Sequence, residues 1–359
     1  MRVFLSSHGA SLFGAERVLA GLARSFAARG HEVMLEIPHD GPLVVEAAQL
    51  EGVRVWCSGR ARLPRNTSEA VRWAVDAPHA TWRLAREIRR GRYDVVWANT
   101  LFNPLAALAG RLVDVPVVWH LHERNLPGPA GRLLGLLVRR LAAVPLTISQ
   151  YMVERWNTDP GSVPGCLVLR NTELRGLTPL PPRPKGSPFT VGYLGQFEPR
   201  KRVDDILRAL ACIPEVRGLL VGHGKEWEAS RAFASSLGLN GRVAFPGFQA
   251  EPAGSFADMD CVIFPAEHEP FGLVALEAVA VGRPVIAARS GALPEVLGDA
   301  ALYYGVGDVD ELVGRIRSLV ADPVLRATLR ARGFERLRFF TPERWAVDAE
   351  KVLHLAVQR

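Results

Sequence analysis

The sequence predicts an α/β protein of two doubly wound domains, and three observations support this fold class. Short apolar, β-branched runs recur along the whole chain, and each is followed by a segment with apolar residues at helical spacing. The runs are continuously apolar, which is typical of parallel strands covered on both faces. A length of 359 residues is too great for one ordinary core and predicts two domains.

The first domain is predicted over residues 1–176. Its expected strands are RVFLSS from Arg2, HEVMLEI from His31, VRVWC from Val53, DVVWAN from Asp94, VPVVWHLH from Val115, VPLTIS from Val144 and CLVLRN from Cys166. Between the first two strands, the segment from Gly14 to Gly30 has helical apolar spacing. Its final glycine is the residue expected just beyond a helix end.

A proline-rich segment then divides the chain. LTPLPPRPKGSP, from Leu177 to Pro188, holds five prolines and a glycine, so we predict a linker over residues 177–187. The strand pattern restarts in a second domain, residues 188–340, with FTVGYLG, RGLLVGHG, RVAFPG, DCVIFP, RPVIAA and ALYYG. Because such sheets bind ligands beyond the carboxyl ends of their strands, we expect the site in a cleft where two sheets face each other.

Composition narrows the function classes. The net charge of +7 is compatible with phosphate-bearing ligands, but no basic run is interleaved with aromatic residues, so we expect no nucleic-acid partner. Four scattered cysteines without a C-x-x-C pair argue against a zinc site and favour a reducing compartment. The N-terminus does not resemble a signal peptide, and no apolar run approaches about 20 residues. We therefore expect a cytoplasmic protein.

Two carboxylates in EPFGLVALEAVAVGRPVIA, from Glu269 to Ala287, mark a candidate site. Glu269 precedes a predicted helix that begins near Gly272, and the free N–H groups of such a helix end attract anions. Glu277 lies within the apolar helix, where a charge costs several kcal/mol unless it is paired. A bound phosphate flanked by sugar and ribose hydroxyls would pair both carboxylates. The alternative is a glutamate that complements the helix dipole and a second one on an exposed helix surface.

These residues, together with GRPVIA and SGALPEV after them, resemble the E-x7-E region of the retaining nucleotide-sugar glycosyltransferases of family 4. The resemblance continues in order through GAERVLAGLARSFAARGHEV, HLHE, GQFEPRKRVDDILRAL, VGHGKE and RVAFPG. It implies the GT-B fold, in which two Rossmann-like domains face each other across a cleft. A terminal helix over 341–359 would pack back on the first domain; the sequence itself shows only an amphipathic helix after Thr341-Pro342.

The resemblance also implies roles for individual residues. Glu269 would contact the donor sugar and act in catalysis with His122, and Glu277 would hold the ribose. The remaining residues implied in donor binding are Gly14, Gly195, Arg200, Lys201, Gly222, Phe271, Gly272 and Leu273. Cationic side chains and helix dipoles can neutralise a departing nucleoside diphosphate, so no cofactor and no metal are expected.

The chain departs from the family pattern at two places. Gln196 stands where the family has an arginine, which leaves Arg200 as a substitute cation. Phe13-Gly14 replaces a pair of glycines. Without the resemblance, Arg200, Lys201 and Arg202 could also form a solvated turn ahead of a helix.

Two further patterns have competing interpretations. His122 ends a predicted strand and could bond the donor sugar, whereas its neighbour His120 points the same way and fits a core role. Asp258 and Asp260 form a D-x-D pattern typical of metal sites, but they precede the strand CVIFP, at its amino end, so we expect no metal there.

The resemblance implies a hexosyltransferase that moves a sugar with retention from a UDP- or GDP-type donor, in polysaccharide, glycolipid or glycosylated natural-product synthesis. The acceptor is a saccharide, a lipid-linked saccharide or a small molecule. GRLLGLLVRRLAAV, from Gly131 to Val144, fits either burial against a sheet or peripheral contact with the inner face of a membrane. A sugar phosphorylase of the same fold and a non-catalytic nucleotide-sugar sensor are the rival functions.

Overall fold

The chain forms two compact units, described here from a computed structural model. The structure describes residues 1–60, 67–159, 161–172, 174, 176–184, 186–249 and 252–359, with backbone alone for residues 67, 68, 70–72, 252 and 253. Unit 1 comprises Met1–Glu173 and Thr341–Arg359, and unit 2 comprises Leu174–Phe340. No helix in this part of the chain is long and apolar enough to cross a bilayer.

Unit 1 contains a parallel sheet with helices between its strands. Its strands are β1 (Arg2–Ser6), β2 (Glu32–Ile37), β3 (Val53–Cys57), β4 (Val95–Asn99), β5 (Val117–Leu121), β6 (Val144–Thr147) and β7 (Leu167–Val168). The intervening helices are α1 (Gly14–Ala28), α2 (Pro42–Ala48), α3 (Thr67–Gly91), α4 (Pro104–Leu112), α5 (Gly128–Leu141) and α6 (Gln150–Thr158). All seven predicted strands are confirmed, and so is the glycine beyond the first helix: Gly30 has φ of +82°.

Unit 2 repeats this arrangement. Its strands are β8 (Thr190–Leu194), β9 (Arg217–Val221), β10 (Val243–Gly247), β11 (Cys261–Phe264), β12 (Val285–Ala288) and β13 (Ala301–Tyr304), all of which were predicted. Its α-helices are α7 (Val203–Ala211), α8 (Trp227–Ser236), α9 (Leu273–Ala280), α10 (Leu293–Leu297), α11 (Val309–Ala321) and α12 (Pro323–Leu337). Short 3₁₀ helices occupy Pro199–Lys201, Pro252–Asp258 and Gly298–Ala300.

Strand order locates the expected binding edge of each sheet. The orders are β3-β2-β1-β4-β5-β6-β7 in unit 1 and β10-β9-β8-β11-β12-β13 in unit 2. The direction of winding reverses between β1 and β4, and again between β8 and β11. Loops after these strands diverge and leave space, so the carboxyl ends of these pairs are where ligands bind in such sheets.

The terminal helix α13 (Pro342–Gln358) belongs to unit 1. The Thr341 hydroxyl accepts a hydrogen bond from the Arg344 N–H and caps its start, as the Thr-Pro signal predicts. Its apolar face, which includes Trp345 and Leu353, joins the core formed by β1, β4 and α1. Glu350 fastens the polar edge through ion pairs with Arg29 and with His31.

The proline-rich segment has no regular secondary structure, as predicted, yet it is fixed to unit 2; Lys185 of this segment lies outside the described residues. The N–H of Leu180 donates to the carbonyl of Val281 at 2.9 Å. Arg283, 5% exposed, donates to the carbonyl of Pro181 at 3.0 Å. The segment is therefore built onto the surface of unit 2.

Candidate active site

The loop that follows β11 holds Glu269 in a fixed position. The Ala292 N–H donates to the carbonyl of Glu269 at 2.8 Å. A Cβ built on Gly291 would lie only 2.3 Å from that carbonyl oxygen. The backbone at position 291 can therefore pack this closely against Glu269 only because glycine has no side chain. The carboxylate at position 269 thus projects from a rigid backbone.

Two cations meet the Glu269 carboxylate. Its Oε2 lies 2.5 Å from Nζ of Lys201 and 3.4 Å from a guanidinium nitrogen of Arg200. Burial alone raises the pKa of Glu269, but the charges and hydrogen bonds of Lys201 and Arg200 outweigh it and hold the pKa below its usual value. Glu269 is therefore ionised at neutral pH. The alternative of a solvated turn fails for Lys201, whose side chain is 17% exposed, and fits Arg200 better at 43%.

The helix predicted after Glu269 begins one residue later than its expected start. Gly272 is the N-cap of α9 with φ of +93°, a left-handed conformation that glycine adopts without strain. A Cβ there would lie 2.7 Å from a methyl group of Leu293. The N–H groups of Leu273 and Val274 precede the first bond of the helix, which the Ala275 N–H donates to the Gly272 carbonyl at 3.0 Å, so this end of α9 is suited to an anion.

Glu277 is the fifth residue of α9 and is 2% exposed. The alternative that placed it on an exposed helix surface is therefore wrong. Its role in binding the ribose stays a prediction.

Gly195 and Gly222 lie side by side in the loops that follow β8 and β9. A Cβ on Gly222 would lie 1.8 Å from the carbonyl oxygen of Gly195, and the N–H of Gly195 donates to Val221 at 3.1 Å. Close backbone packing therefore accounts for the glycine at position 222. The donor-binding role of both residues stays a prediction.

In unit 1, Gly14 opens α1 after the β1 loop. A Cβ built on it would meet no heavy atom within 4 Å among the described residues, so packing does not require glycine there. The preceding Phe13 is 52% exposed and provides no side-chain cap. The donor-binding role of Gly14 stays a prediction.

His122 lies just beyond β5, in contact with Asn99 at the end of β4. The Asn99 amide nitrogen donates to the carbonyl of Ala15 at 3.0 Å, so its oxygen faces His122 Nε2 at 2.9 Å. Nε2 must therefore carry the proton, which leaves Nδ1 as an acceptor. Burial, aided by the charge of His8, lowers the pKa of His122 to about 3, so the ring is neutral.

His120 takes the core role that the sequence left open for it. It is fully buried, and its ring lies 4.2 Å from that of His122, with Nδ1 at 3.2 Å from His122 Nε2. Burial lowers its pKa well below the usual value. His120 therefore lies in the core of unit 1 and contacts His122.

Sequence reasoning missed a buried ionic cluster at the carboxyl ends of β1 and β2. Glu36 is fully buried and accepts from Ser6 at 2.5 Å and from Arg60 Nε at 3.0 Å. Arg60 also donates to the carbonyl of Ser7 and to Asn103. The signal was available, since Glu36 interrupts the apolar strand HEVMLEI.

The D-x-D pattern lies where the sequence placed it, away from this binding edge. Asp258 ends a 3₁₀ helix, and Asp260 precedes β11 at its amino end. Asp260 accepts from the Thr190 N–H at 2.8 Å and pairs with Arg183 at 2.6 Å. These contacts give Asp260 a structural role. Within the described ranges, no group of three His, Cys, Asp or Glu side chains could hold a metal.

Two models of glycosyltransferase families match this chain, one in each half. Glycosyltransferase Family 4 matches residues 14–164, and Glycosyl transferases group 1 matches residues 181–336. The D-inositol 3-phosphate glycosyltransferase of a Nocardioides species is 31% identical over an alignment of 316 positions that covers 73% of this chain and 69% of that protein.

The lipopolysaccharide core biosynthesis glycosyltransferase LpsE of Rhizobium meliloti is 35% identical over 146 residues, 40% of this chain. The chain spans less than half of that protein and of LpsD from the same organism, 43% and 48% of their lengths. The solved structure of Anabaena Alr3699/HepE in complex with UDP and glucose matches with a TM-score of 0.83 and 23% identity, over 99% of both chains. That likeness establishes the GT-B fold. The chain belongs to the glycosyl transferases group 1 family of GT-B glycosyltransferases.

Proposed function

We propose that the chain is a retaining hexosyltransferase that moves a sugar from a UDP- or GDP-type donor to an acceptor hydroxyl. The observation that carries this proposal is the cluster of Glu269, Lys201 and Arg200 just ahead of the α9 N-terminus. It combines one ionised carboxylate with two cations and a helix dipole. Those are the groups needed where a sugar is separated from a diphosphate.

Each group has a distinct role in the proposed reaction. The bond between the anomeric carbon and the phosphate oxygen breaks, and its electron pair leaves with the nucleoside diphosphate. Lys201, Arg200 and the first N–H groups of α9 neutralise the charge that develops there. Glu269 orients sugar hydroxyls and complements positive charge on the ring, while Glu277 accepts hydrogen bonds from the ribose. The acceptor oxygen then bonds the anomeric carbon, and its proton passes to an oxygen of the departing diphosphate.

His122 is suited to binding rather than to donating a proton. Because its ring is neutral and Nε2 is committed to Asn99, Nδ1 is the atom that can accept a hydrogen bond from a sugar hydroxyl. This assignment supports a role in orienting the donor sugar. It does not require His122 to change protonation during turnover.

A binding panel tests the proposed function. Nucleotide sugars and free nucleoside diphosphates would be screened by thermal shift, since a ligand at a hundred times its Kd adds about 2.7 kcal/mol of stability. Calorimetry with UDP and GDP follows. Failure of both to bind would favour the sugar phosphorylase, in which inorganic phosphate takes the place of the diphosphate. Binding without sugar transfer or donor hydrolysis above background would favour the non-catalytic sensor.

Metal independence is a further expected result. Activity should survive EDTA, because Lys201, Arg200 and the α9 dipole supply the positive charge that a metal supplies elsewhere. Transfer would be measured after chelation and again after adding Mg²⁺ or Mn²⁺. Loss in EDTA with recovery on adding either metal would contradict this assignment.

The acceptor side includes a proposed peripheral contact with a membrane through α5. Gly131 and Gly135 form its buried face together with Val138, and a Cβ on Gly135 would lie 1.8 Å from the carbonyl oxygen of Gly161. The opposite side of the helix carries two exposed leucines: Leu133 is 58% exposed and Leu136 is 39% exposed.

The charge on α5 favours an anionic lipid surface as the partner. Arg132, Arg139 and Arg140 are exposed, and residues 128–141 contain no acidic residue. The neighbouring α4 adds exposed Leu108 and Leu112. An apolar strip bordered by arginines is typical of helices that lie in a lipid interface.

Vesicle sedimentation tests this contact. The protein should bind phosphatidylglycerol vesicles and not pure phosphatidylcholine vesicles. Replacing Leu133 and Leu136 together with glutamine should weaken binding by at least about tenfold, because each leucine buried in lipid contributes roughly 1.5–3 kcal/mol. Val45→Gln is the control, since Val45 is 65% exposed on α2 of the same unit. Equal loss in the control, or no loss in the double variant, would contradict the assignment.

A further inference from the structure

The loop that carries Glu269 is supported from two sides. On one side, Gly272 lies against Leu293 at the start of α10, and Ala292 bonds the Glu269 carbonyl. On the other side, Phe271 packs its ring edge-to-face on Phe340, with centroids 6.2 Å apart and an interplanar angle of 76°. Both phenylalanines are 3% exposed.

One arginine ties these two supports together. Arg336, near the end of α12, donates from Nε to the carbonyl of Val296 at 2.8 Å and from its guanidinium to the carbonyl of Glu295. These bonds hold the C-terminal end of α10. The same guanidinium lies 5.5 Å from the ring centroid of Phe340. The ring that supports Phe271 is thus held in place by the residue that also holds α10.

Phe340 also has a particular place along the chain. It is the last residue of unit 2, and its N–H donates to the carbonyl of Leu337 at 2.8 Å. The next residue, Thr341, caps α13, which packs in the core of unit 1. The segment that passes from one unit to the other therefore begins at the residue that supports the Glu269 loop.

We propose that Phe340 is a positioning residue: its ring orders the Glu269–Gly272 loop and couples that loop to the segment that leads into α13. This inference depends on the proposed function only for the identity of the ligand. It assigns Phe340 no contact with substrate. A change at the crossover would reach Glu269 through Phe340 and Phe271.

The chain offers two matched controls. Phe339, the adjacent ring, lies 5.3 Å from the same guanidinium but is 56% exposed and does not form the Phe271 pair. Leu329 lies on α12, is 2% exposed and belongs to a different part of the unit 2 core. Phe339→Leu controls for the lost aromatic contact with Arg336, and Leu329→Ala controls for general destabilisation of unit 2.

Amide hydrogen exchange of the ligand-free protein is the first measurement. In Phe340→Leu, the amides of Glu269 and of residues 271–276 should exchange about 3- to 10-fold faster, the size expected when one aromatic pair is lost. Neither control should show this local increase beyond any change spread across unit 2. Equal exchange of these amides in Phe340→Leu and Phe339→Leu would overturn the proposal, whatever the protein binds.

Calorimetry with UDP and GDP is the second measurement. Where the wild type binds either nucleotide, Phe340→Leu should raise its Kd by a similar factor, and Leu329→Ala should not, even if its Tm falls further. An unchanged Kd in Phe340→Leu would overturn the positioning role. A wild type that binds neither nucleotide counts against the proposed donor, while the exchange result still decides whether Phe340 orders the loop.

Discussion

Glu269→Gln is expected to lower turnover by about 10²- to 10³-fold, a loss of about 2–4 kcal/mol in transition-state stabilisation. The variant keeps the shape and one acceptor oxygen but removes the charge that complements the developing positive charge on the sugar ring. An interaction made mainly in the transition state affects kcat more than ground-state binding. The affinity for the nucleoside diphosphate, measured by calorimetry, should therefore stay within a few-fold of wild type.

Glu267→Gln is the matched control for this experiment. Glu267 lies on the same loop, but its side chain is 44% exposed and pairs only with the neighbouring His268 among the ion pairs of the described residues. Its turnover should stay near wild type. Wild-type turnover in Glu269→Gln would mean that this carboxylate serves only as a charge at a helix end, and the ligand-binding interpretation of the loop would then rest on Glu277.

Glu36→Ala is expected to lower the free energy of unfolding of unit 1 by about 3–5 kcal/mol. Glu36 is fully buried, and its partner Arg60 has a side chain that is 5% exposed, so the variant leaves an uncompensated buried charge. The measurement is urea unfolding followed by tryptophan fluorescence and interpreted for each transition separately.

The same strand provides the control for that variant. Glu32, at the start of β2, pairs with Arg2 at 3.0 Å, but the two side chains are 63% and 35% exposed. Glu32→Ala should change stability by about 1 kcal/mol or less, as exposed ion pairs do. Similar losses of stability in both variants would show that burial does not determine how much the Glu36–Arg60 pair contributes to the free energy of unfolding.

The fold could be predicted from the sequence because the patterns that indicate its strands and helices are local. Most strands are predominantly apolar runs, and each sheet is parallel, so the strands could be identified without knowing which strands pair. The starts of α1 at Gly14 and of α9 after Gly272 were also predictable from local sequence, since a glycine ahead of an apolar helical pattern marks a helix start.

The interactions within the site could not be predicted from the sequence, because they join residues that are far apart along the chain. Lys201 and Glu269 are 68 positions apart, and Asn99 lies 23 positions before His122. The pattern of α5 left its buried face undetermined for a different reason. Its leucines have helical spacing, which suggests burial, but the backbone of Gly161 takes the space beside Gly135 and leaves the glycine face as the buried one.

The attachment of the proline-rich segment to unit 2 determines where this chain can be recombined with a relative. A chimera that exchanged unit 2 at residue 188 would separate Arg283 from the carbonyl of Pro181, and Asp260 from Arg183. Each of these contacts would then join one residue from each parent, and the two would have to fit each other. A junction before Leu177, paired with a second one between Phe340 and Thr341, keeps every one of these contacts within a single parent. The natural exchange module therefore includes the proline-rich segment as its N-terminal part.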